Sequence, residues 1–443
     1  MSPDCVGSDH SLLTPGQASR PPVVARVALL GYGRVGQAVA AGIEASRGQL
    51  AAVGVSLRCA GAVVRDPRRA RQGPVVPCVA VPAAVLERAD VVVEVMGGLE
   101  PARSLVASAL DAGIPVVTAN KSLVAHHGHE LRALAAARRT TFACEAAVLA
   151  GVPFLGALAR RPLCAAARRI LGIVNGTSHA VADALDRGEP LEAALRDAVA
   201  RGYAEPDSAA DIAGRDAAEK LAILLHLAGR PDVAPERLPV VGLDVLRPAD
   251  FREARRMGGV IKPIALASLG DDAPGAWVGP AVVALDHPLA ALRGVENLVQ
   301  LTDARGHVVT FRGPGAGPEA TARTIIDDVV ELLLSGPGAR RLVPAAAASC
   351  PAPALDAPPR CPWFVRIATP DDSLRVRRIA RALADAGLDV RRLTACHDLI
   401  VARTAPAPWE AVRAAVAACA PPDRATVLPV IDDSSPISQE TPR

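Results

Sequence analysis

The chain has 443 residues, half of them hydrophobic and about a fifth charged, so it is globular, long enough for two or three domains with substantial cores, and not disordered. Its 49 basic and 46 acidic side chains leave a formal charge of only +3, and its few aromatic residues do not interleave with basic ones, which disfavours nucleic acid or an anionic membrane as partner. No apolar run approaches a membrane span, and nine scattered cysteines without a C-x-x-C pair suggest free thiols in a reducing compartment, hence a cytoplasmic protein.

Residues 1–22 lack a basic region followed by an apolar core and read as a mobile tail before a first domain over 23–150. The apolar run Val23 to Leu30 suits a strand buried on both faces of a parallel sheet. GYGRVG follows, then a helix over Gln37 to Ala45. A G-x-G-x-x-G between a buried strand and a helix points to a dinucleotide: Gly31 for the tight turn, Gly33 for close approach of pyrophosphate, Gly36 for helix-on-strand contact, with Arg34 and Val35 between them. The second strand is expected near Ala51 to Leu57, where an NAD enzyme places an acid; Ser56, Leu57 and Arg58 stand there, so Arg58 favours NADP, with NAD as the alternative.

The strand in ADVVVEVMGG, the helix PARSLVASALDAG and the strand and turn IPVVTANKS continue a doubly wound sheet, whose ligands bind beyond the carboxyl ends of strands, where Thr118 to Lys121 fall. A helix follows over His126 to Arg139, then a short strand and Gly/Pro turn in TFACEAAVLAGVP, where Cys144 reads as a small core residue. A second domain, for substrate and dimerisation, is expected over 151–314. In its segment LGIVNGTSHAVADAL, His179 reads as a capping or exposed residue at a helix start, with a general base as the other reading. From Gly202 to Gly229, GYAEPDSAADIAGRDAAEKLAILLHLAG packs five acids and one lysine before a helix apolar on nearly every face, as a buried helix is. Asp216 and Lys220 share one face, either as a solvated ion pair or as a site, while Glu205 and Asp211 sit in the turn leading in.

GGVIKPIALASL then returns the chain to a mixed sheet, and two further strands end in the glycine-rich turn GPGAG. A helix over about Ala320 to Leu334 packs back on the first domain, so residues 315–335 complete it and make it discontinuous. Residues 336–361 have linker composition. Residues 362–432 read β-α-β-β-α-β, a ferredoxin-like module, and 433–443 are a tail.

GYAE, an acidic turn and D-x-x-G-x-D-x-x-x-K together resemble the substrate loop and catalytic helix of homoserine dehydrogenases, and TANK resembles that family's turn between cofactor and substrate. The resemblance implies interconversion of aspartate 4-semialdehyde and homoserine with a nicotinamide cofactor. It implies that Glu205 holds the substrate ammonium with Asp211, Tyr203 and Thr177 nearby, that Asp216 positions substrate and lysine, that Lys220 donates the proton, and that Lys121 supplies positive charge beside it. It adds Thr118, Lys121, Gly202 and Gly317 to the cofactor contacts, and a monovalent cation such as Na+ held by Glu145 and the carbonyls of Val148, Ala150 and Val152. The segment G-I-x-N-G-T agrees with the family and then departs at Ser178, His179 and Ala180.

The C-terminal module looks like an ACT domain, implying a threonine effector, although the turn TPDDSL lacks the family's glycine; the alternative is a dimerisation domain without ligand. A homo-oligomer, dimer or tetramer, is implied as well. Two rival readings are a same-fold dehydrogenase for another amino-acid aldehyde, favoured by the departure after Thr177, and a catalytically silent amino-acid sensor, disfavoured by the presence of Lys121, Lys220 and Glu205.

Overall fold

Two β-sheets carry the fold. The computed structural model describes residues 21–152, 154–159, 167–204, 208–270, 274–335, 353–369, 373–396 and 398–432. The first sheet is parallel, in the order β3-β2-β1-β4-β5-β6, from β1 (Val23–Leu30), β2 (Val55–Val63), β3 (Cys78–Val79), β4 (Val91–Glu94), β5 (Val116–Thr118) and β6 (Phe142–Ala143). Valine-rich runs form it because helices cover both faces. The helices Ala102–Asp111 and Lys121–Ala137 pack into one core cluster, and Arg34–Ala45 and Pro318–Ser335 into another. At Gly42 a Cβ would press on Ile326 of that last helix, so the chain does return to complete the first domain.

Local boundaries differ from expectation in three places. Arg47–Ala52 is helical and Gly54, at φ 77°, turns the chain, so the second strand starts at Val55 instead of Ala51. Register then places Arg58 opposite Arg26 in mid-strand, with the carboxyl end at Val63 opposite Leu30. The helix after β1 starts at Arg34, and the one after β5 starts at Lys121, not His126, because the Asn120 side chain caps it by accepting from the Leu123 amide at 3.2 Å. Lys121 therefore stands on a helix and not in a loop.

The second sheet has nine strands in the order β11-β10-β7-β8-β9-β15-β12-β14-β13. These are β7 (Arg169–Ile173), β8 (Gly259–Ser268), β9 (Gly275–Ala284), β10 (Glu296–Thr302), β11 (Val308–Pro314), β12 (Trp363–Ala368), β13 (Val390–Cys396), β14 (Leu399–Thr404) and β15 (Ala425–Ile431). Three strands, not two, lie between residues 275 and 314. Its helices include Gly176–Asp186 and Arg215–Leu227, the latter buried continuously from Lys220 to Leu227, as its all-round apolarity requires.

The last four strands, with the helices Ser373–Asp385 and Trp409–Cys419, follow the expected β-α-β-β-α-β succession. They do not form a separate sheet. β15 pairs in parallel with β9 at Val430 and Ile431, opposite Val282 and Val283. Trp277 of β9 meets Trp363 edge to face at 6.4 Å between ring centres, and Arg366 pairs with the buried Asp250. Aromatic burial and an internally paired charge make this a continuous seam. The turn TPDDSL falls largely outside the described residues.

Candidate active site

Strand order reverses between β1 and β4, which opens a crevice at their carboxyl ends. Gly31 has φ 104°, and a Cβ there would come 2.8 Å from the Val95 carbonyl. A Cβ on Gly36 would collide with the Gly31 carbonyl, whereas one on Gly33 would meet nothing within 4 Å. The first and third glycines are thus forced by backbone packing, and the second leaves open space at the start of Arg34–Ala45, whose first turn has neither a side-chain cap nor an acid. Exposed Arg34 and half-buried Val35 open that turn. Such a cradle fits a pyrophosphate approaching helix amides.

Across the crevice, three elements converge on one carboxylate. Asp216, at the start of Arg215–Leu227, takes Lys121 Nζ on Oδ1 at 3.0 Å and Lys220 Nζ on Oδ2 at 2.9 Å. Lys220 also donates to the Val174 carbonyl at 2.8 Å. Asn175, which caps Gly176–Asp186 by accepting from the Ser178 amide at 2.7 Å, donates through Nδ2 to Asp216 at 2.6 Å and Asp211 at 2.7 Å. The Lys121 side chain is 39% exposed and that of Lys220 10%, so the pair is not a solvated surface bridge.

Burial pushes the Asp216 carboxyl up, but Lys220, Lys121 and Asn175 outweigh it and hold it below the usual carboxylate range. Burial works against the Lys121 ammonium, yet Asp216, with Glu219 and Asp211 behind it, holds its pKa above the ordinary lysine value. Burial and the Asp216 charge push Asp211 upward. The cluster therefore presents two ammonium groups to the crevice beside a fixed anion, an arrangement suited to donating a proton and stabilising oxygen charge.

Thr118 is fully buried, its hydroxyl donating to Glu94 at 2.5 Å and accepting from the Asn120 amide at 3.0 Å, so its side chain shapes the turn that presents Lys121. Thr177 donates to the Tyr203 carbonyl at 2.7 Å and ties the Gly202–Tyr203 turn, with Gly202 at φ 73°, to the helix carrying Asn175. Glu205 lies outside the described residues. Arg58 is displaced from the ribose end of β2, where Arg65 is the first exposed side chain. The Glu145 carboxylate accepts from the Leu155 and Gly156 amides, and the Ala150 carbonyl accepts from Thr324; Val148 and Val152 are buried in the same turn. Gly317, at φ 127°, is exposed in the turn after β11.

His179 is neither a cap nor exposed. It is wholly buried, bonded to the Glu296 carbonyl at 3.1 Å and Lys262 Nζ at 3.0 Å, and burial, then Lys262, push its pKa down to about 4. Asn175 and Glu94 were not singled out from sequence. The signals were there: an Asn before Gly-Thr at a helix start, and one acid ending an otherwise apolar strand.

Among the described residues no helix is long and apolar enough to cross a membrane. The family model for the NAD-binding domain of homoserine dehydrogenase matches residues 31–145, and that for homoserine dehydrogenase matches 153–330. Homoserine dehydrogenase from Corynebacterium glutamicum is 37% identical over 314 residues, covering 69% of this chain and 71% of that protein; the Mycobacterium tuberculosis H37Rv protein is 38% identical over 313 residues with the same shares. The crystal structure of a homoserine dehydrogenase from Thiobacillus denitrificans superposes with a TM-score of 0.84 at 30% identity, covering 93% of this chain and 99% of that one. A hyperthermophilic archaeal homoserine dehydrogenase in complex with NADPH has a TM-score of 0.59 at 27% identity, covering 72% and 100%. With a glycine cradle facing a shared lysine–aspartate cluster, and relatives of this identity across two thirds of its length, the chain belongs to the homoserine dehydrogenase family, NAD(P)-dependent oxidoreductases.

Proposed function

We propose that this chain interconverts L-aspartate 4-semialdehyde and L-homoserine in the cytoplasm, a step toward threonine and methionine, through the Lys121–Asp216–Lys220 cluster. The observation that carries it is the single carboxylate held by both lysines at 3.0 and 2.9 Å. When bound, the nicotinamide supplies or accepts the hydride. Lys220, fixed by Asp216 and the Val174 carbonyl, donates a proton to the forming alkoxide, and Lys121 adds positive charge beside it. Glu205 and Asp211 hold the substrate ammonium, with Thr177 and Tyr203 framing it.

The dinucleotide is held by the Gly31, Gly33, Arg34, Val35 and Gly36 backbone and by Gly202 and Gly317. NADP is the preferred form, supported by the exposed Arg65 just past the carboxyl end of β2. The NADPH bound by the archaeal relative supports the same choice. A monovalent cation such as Na+ is held near Glu145, Val148, Ala150 and Val152; the Ala150 carbonyl keeps a second lone pair beyond its bond from Thr324. The C-terminal module is ACT-like and takes threonine as effector, supported by its β-α-β-β-α-β order, and the enzyme works as a dimer or tetramer.

The test is the absorbance change of NADPH and, separately, NADH on adding aspartate semialdehyde, with and without threonine. NADPH consumption slowed by threonine is the expected result. Consumption of neither nucleotide by the folded protein removes the aldehyde assignment, and indifference to threonine removes the effector.

A further inference from the structure

Asn297 lies on β10, wholly buried, and neither Nδ2 nor Oδ1 has a hydrogen-bond partner among the described residues. A buried amide left unpaired on both atoms is destabilising and calls for a cause. β10 is held on both sides: Asn297 stands opposite Gly313 of β11, and Leu298 opposite Ile173 of β7. The strand thus fixes Asn297 next to the end of β7, where Val174 and Asn175 meet Lys220 and Asp216.

Against the amide lies Gly315. A Cβ there would collide with Cγ, Nδ2 and Oδ1 of Asn297 together, so the carboxamide rests directly on the turn 313–317. The same turn meets the carboxyl end of the parallel sheet: beyond β6, the Ala150 and Gly151 amides donate to the Gly315 and Pro314 carbonyls at 3.2 and 3.1 Å. The helix Pro318–Ser335 leaving it packs on Arg34–Ala45, whose start is the glycine cradle. Asn297 therefore touches a turn that is joined to β11, to the carboxyl end of the parallel sheet and to the helix packed on Arg34–Ala45.

Resting on the dinucleotide site described above, we propose that Asn297 is a positioning residue that latches the turn 313–317 when NADPH is bound. The turn settles onto the dinucleotide, and its backbone N–H and C=O groups reach the carboxamide atoms that have no partner among the described residues. Gly315 has no side chain to relocate, and Gly317, at φ 127° with open space around it, lets the backbone shift. A partner available in one state only biases the equilibrium toward that state.

The experiment is thermal unfolding of wild type, Asn297→Leu and Asn297→Ala with and without NADPH, together with kcat and KM for NADPH. Without NADPH, Asn297→Leu should melt no lower than wild type, because an unpaired buried amide has been replaced by an apolar group of similar size. Its NADPH-induced rise in Tm should shrink and its KM for NADPH rise roughly tenfold, equivalent to about 1.4 kcal/mol, with kcat at saturating NADPH changing less. Asn297→Ala, which leaves a cavity, should start from a lower Tm and show the same shrunken rise. An equal fall in Tm with and without NADPH, with KM for NADPH unchanged, overturns the role; a permanently bound water on the amide would produce that result. Because the Tm shift reads nucleotide binding without turnover, failure of the aldehyde reaction and failure of the latch are distinguishable.

Discussion

Two buried lysine–aspartate clusters are built on the second, mixed-sheet domain. In one, Lys220 sits between Asp216 and the Val174 carbonyl, and Lys121 joins it from the nucleotide domain. In the other, Lys262 of β8 donates to Asp183 at 2.7 Å, the Leu292 carbonyl at 2.8 Å and His179 Nε2 at 3.0 Å. An ammonium has three protons, so Lys262 is saturated, whereas Lys220 has one without a partner among the described residues. Because Lys262 must donate to Nε2, His179 is neutral there and donates its Nδ1 proton to the Glu296 carbonyl. Burial and pairing are alike in the two clusters; the difference among the described residues is one Lys220 proton without a partner, which fits the proposed proton donation at the first cluster, whereas the second is fully paired.

Three substitutions would break or sharpen that contrast. Lys220→Ala should lower kcat on the order of a thousandfold, the usual range for a lost general acid, with NADPH affinity near normal by fluorescence titration. Retention of most of the activity would remove Lys220 from the mechanism. Asp216→Asn should lower kcat/KM by about a hundredfold and move the alkaline limb of the pH–rate profile to lower pH. The sign follows from Lys121, whose pKa Asp216 raises against burial; without that charge the ammonium deprotonates earlier.

The smallest effect on turnover belongs to the saturated cluster. His179→Asn should leave kcat at neutral pH little changed. Its consequence lies in stability: with the folded pKa pushed down to about 4 by burial, Lys262 and Arg293 against the pull of Asp183, and the unfolded value near about 6.5, the unfolded chain binds more protons between them. Stability contributed by the neutral imidazole is thus present above about pH 6.5 and lost as pH falls toward about 4, with a slope of at most about 1.4 kcal/mol per pH unit. Urea titrations across that range should show a flatter dependence in the variant. An unchanged slope would mean that another group titrates there.

Much of the molecule was legible because the information is local. The buried run Val23–Leu30 with its glycine turn, the order of elements in the C-terminal module and the i, i+4 pairing of Asp216 with Lys220 all follow from side-chain period and spacing along a short stretch. Even the buried character of the helix behind Lys220 is a local property, since an element apolar on every face has nowhere else to go. What required tertiary structure is whatever depends on register or on segments meeting across the chain. Parallel register with β1 sets where β2 ends, which puts Arg58 in mid-strand and Arg65 just past the carboxyl end. His179 looks like a helix-start residue in sequence, but it is buried where Lys262 of β8 and the Glu296 carbonyl of β10 meet its ring. Asp216 acquires its second lysine from another domain, and β15 joins its module to β9 through two paired residues, contacts to which no local pattern points. Local sequence determined most of the elements and the faces they bury, because those follow from side-chain period; packing alone decided which charges share a partner, because those contacts join segments far apart in the chain.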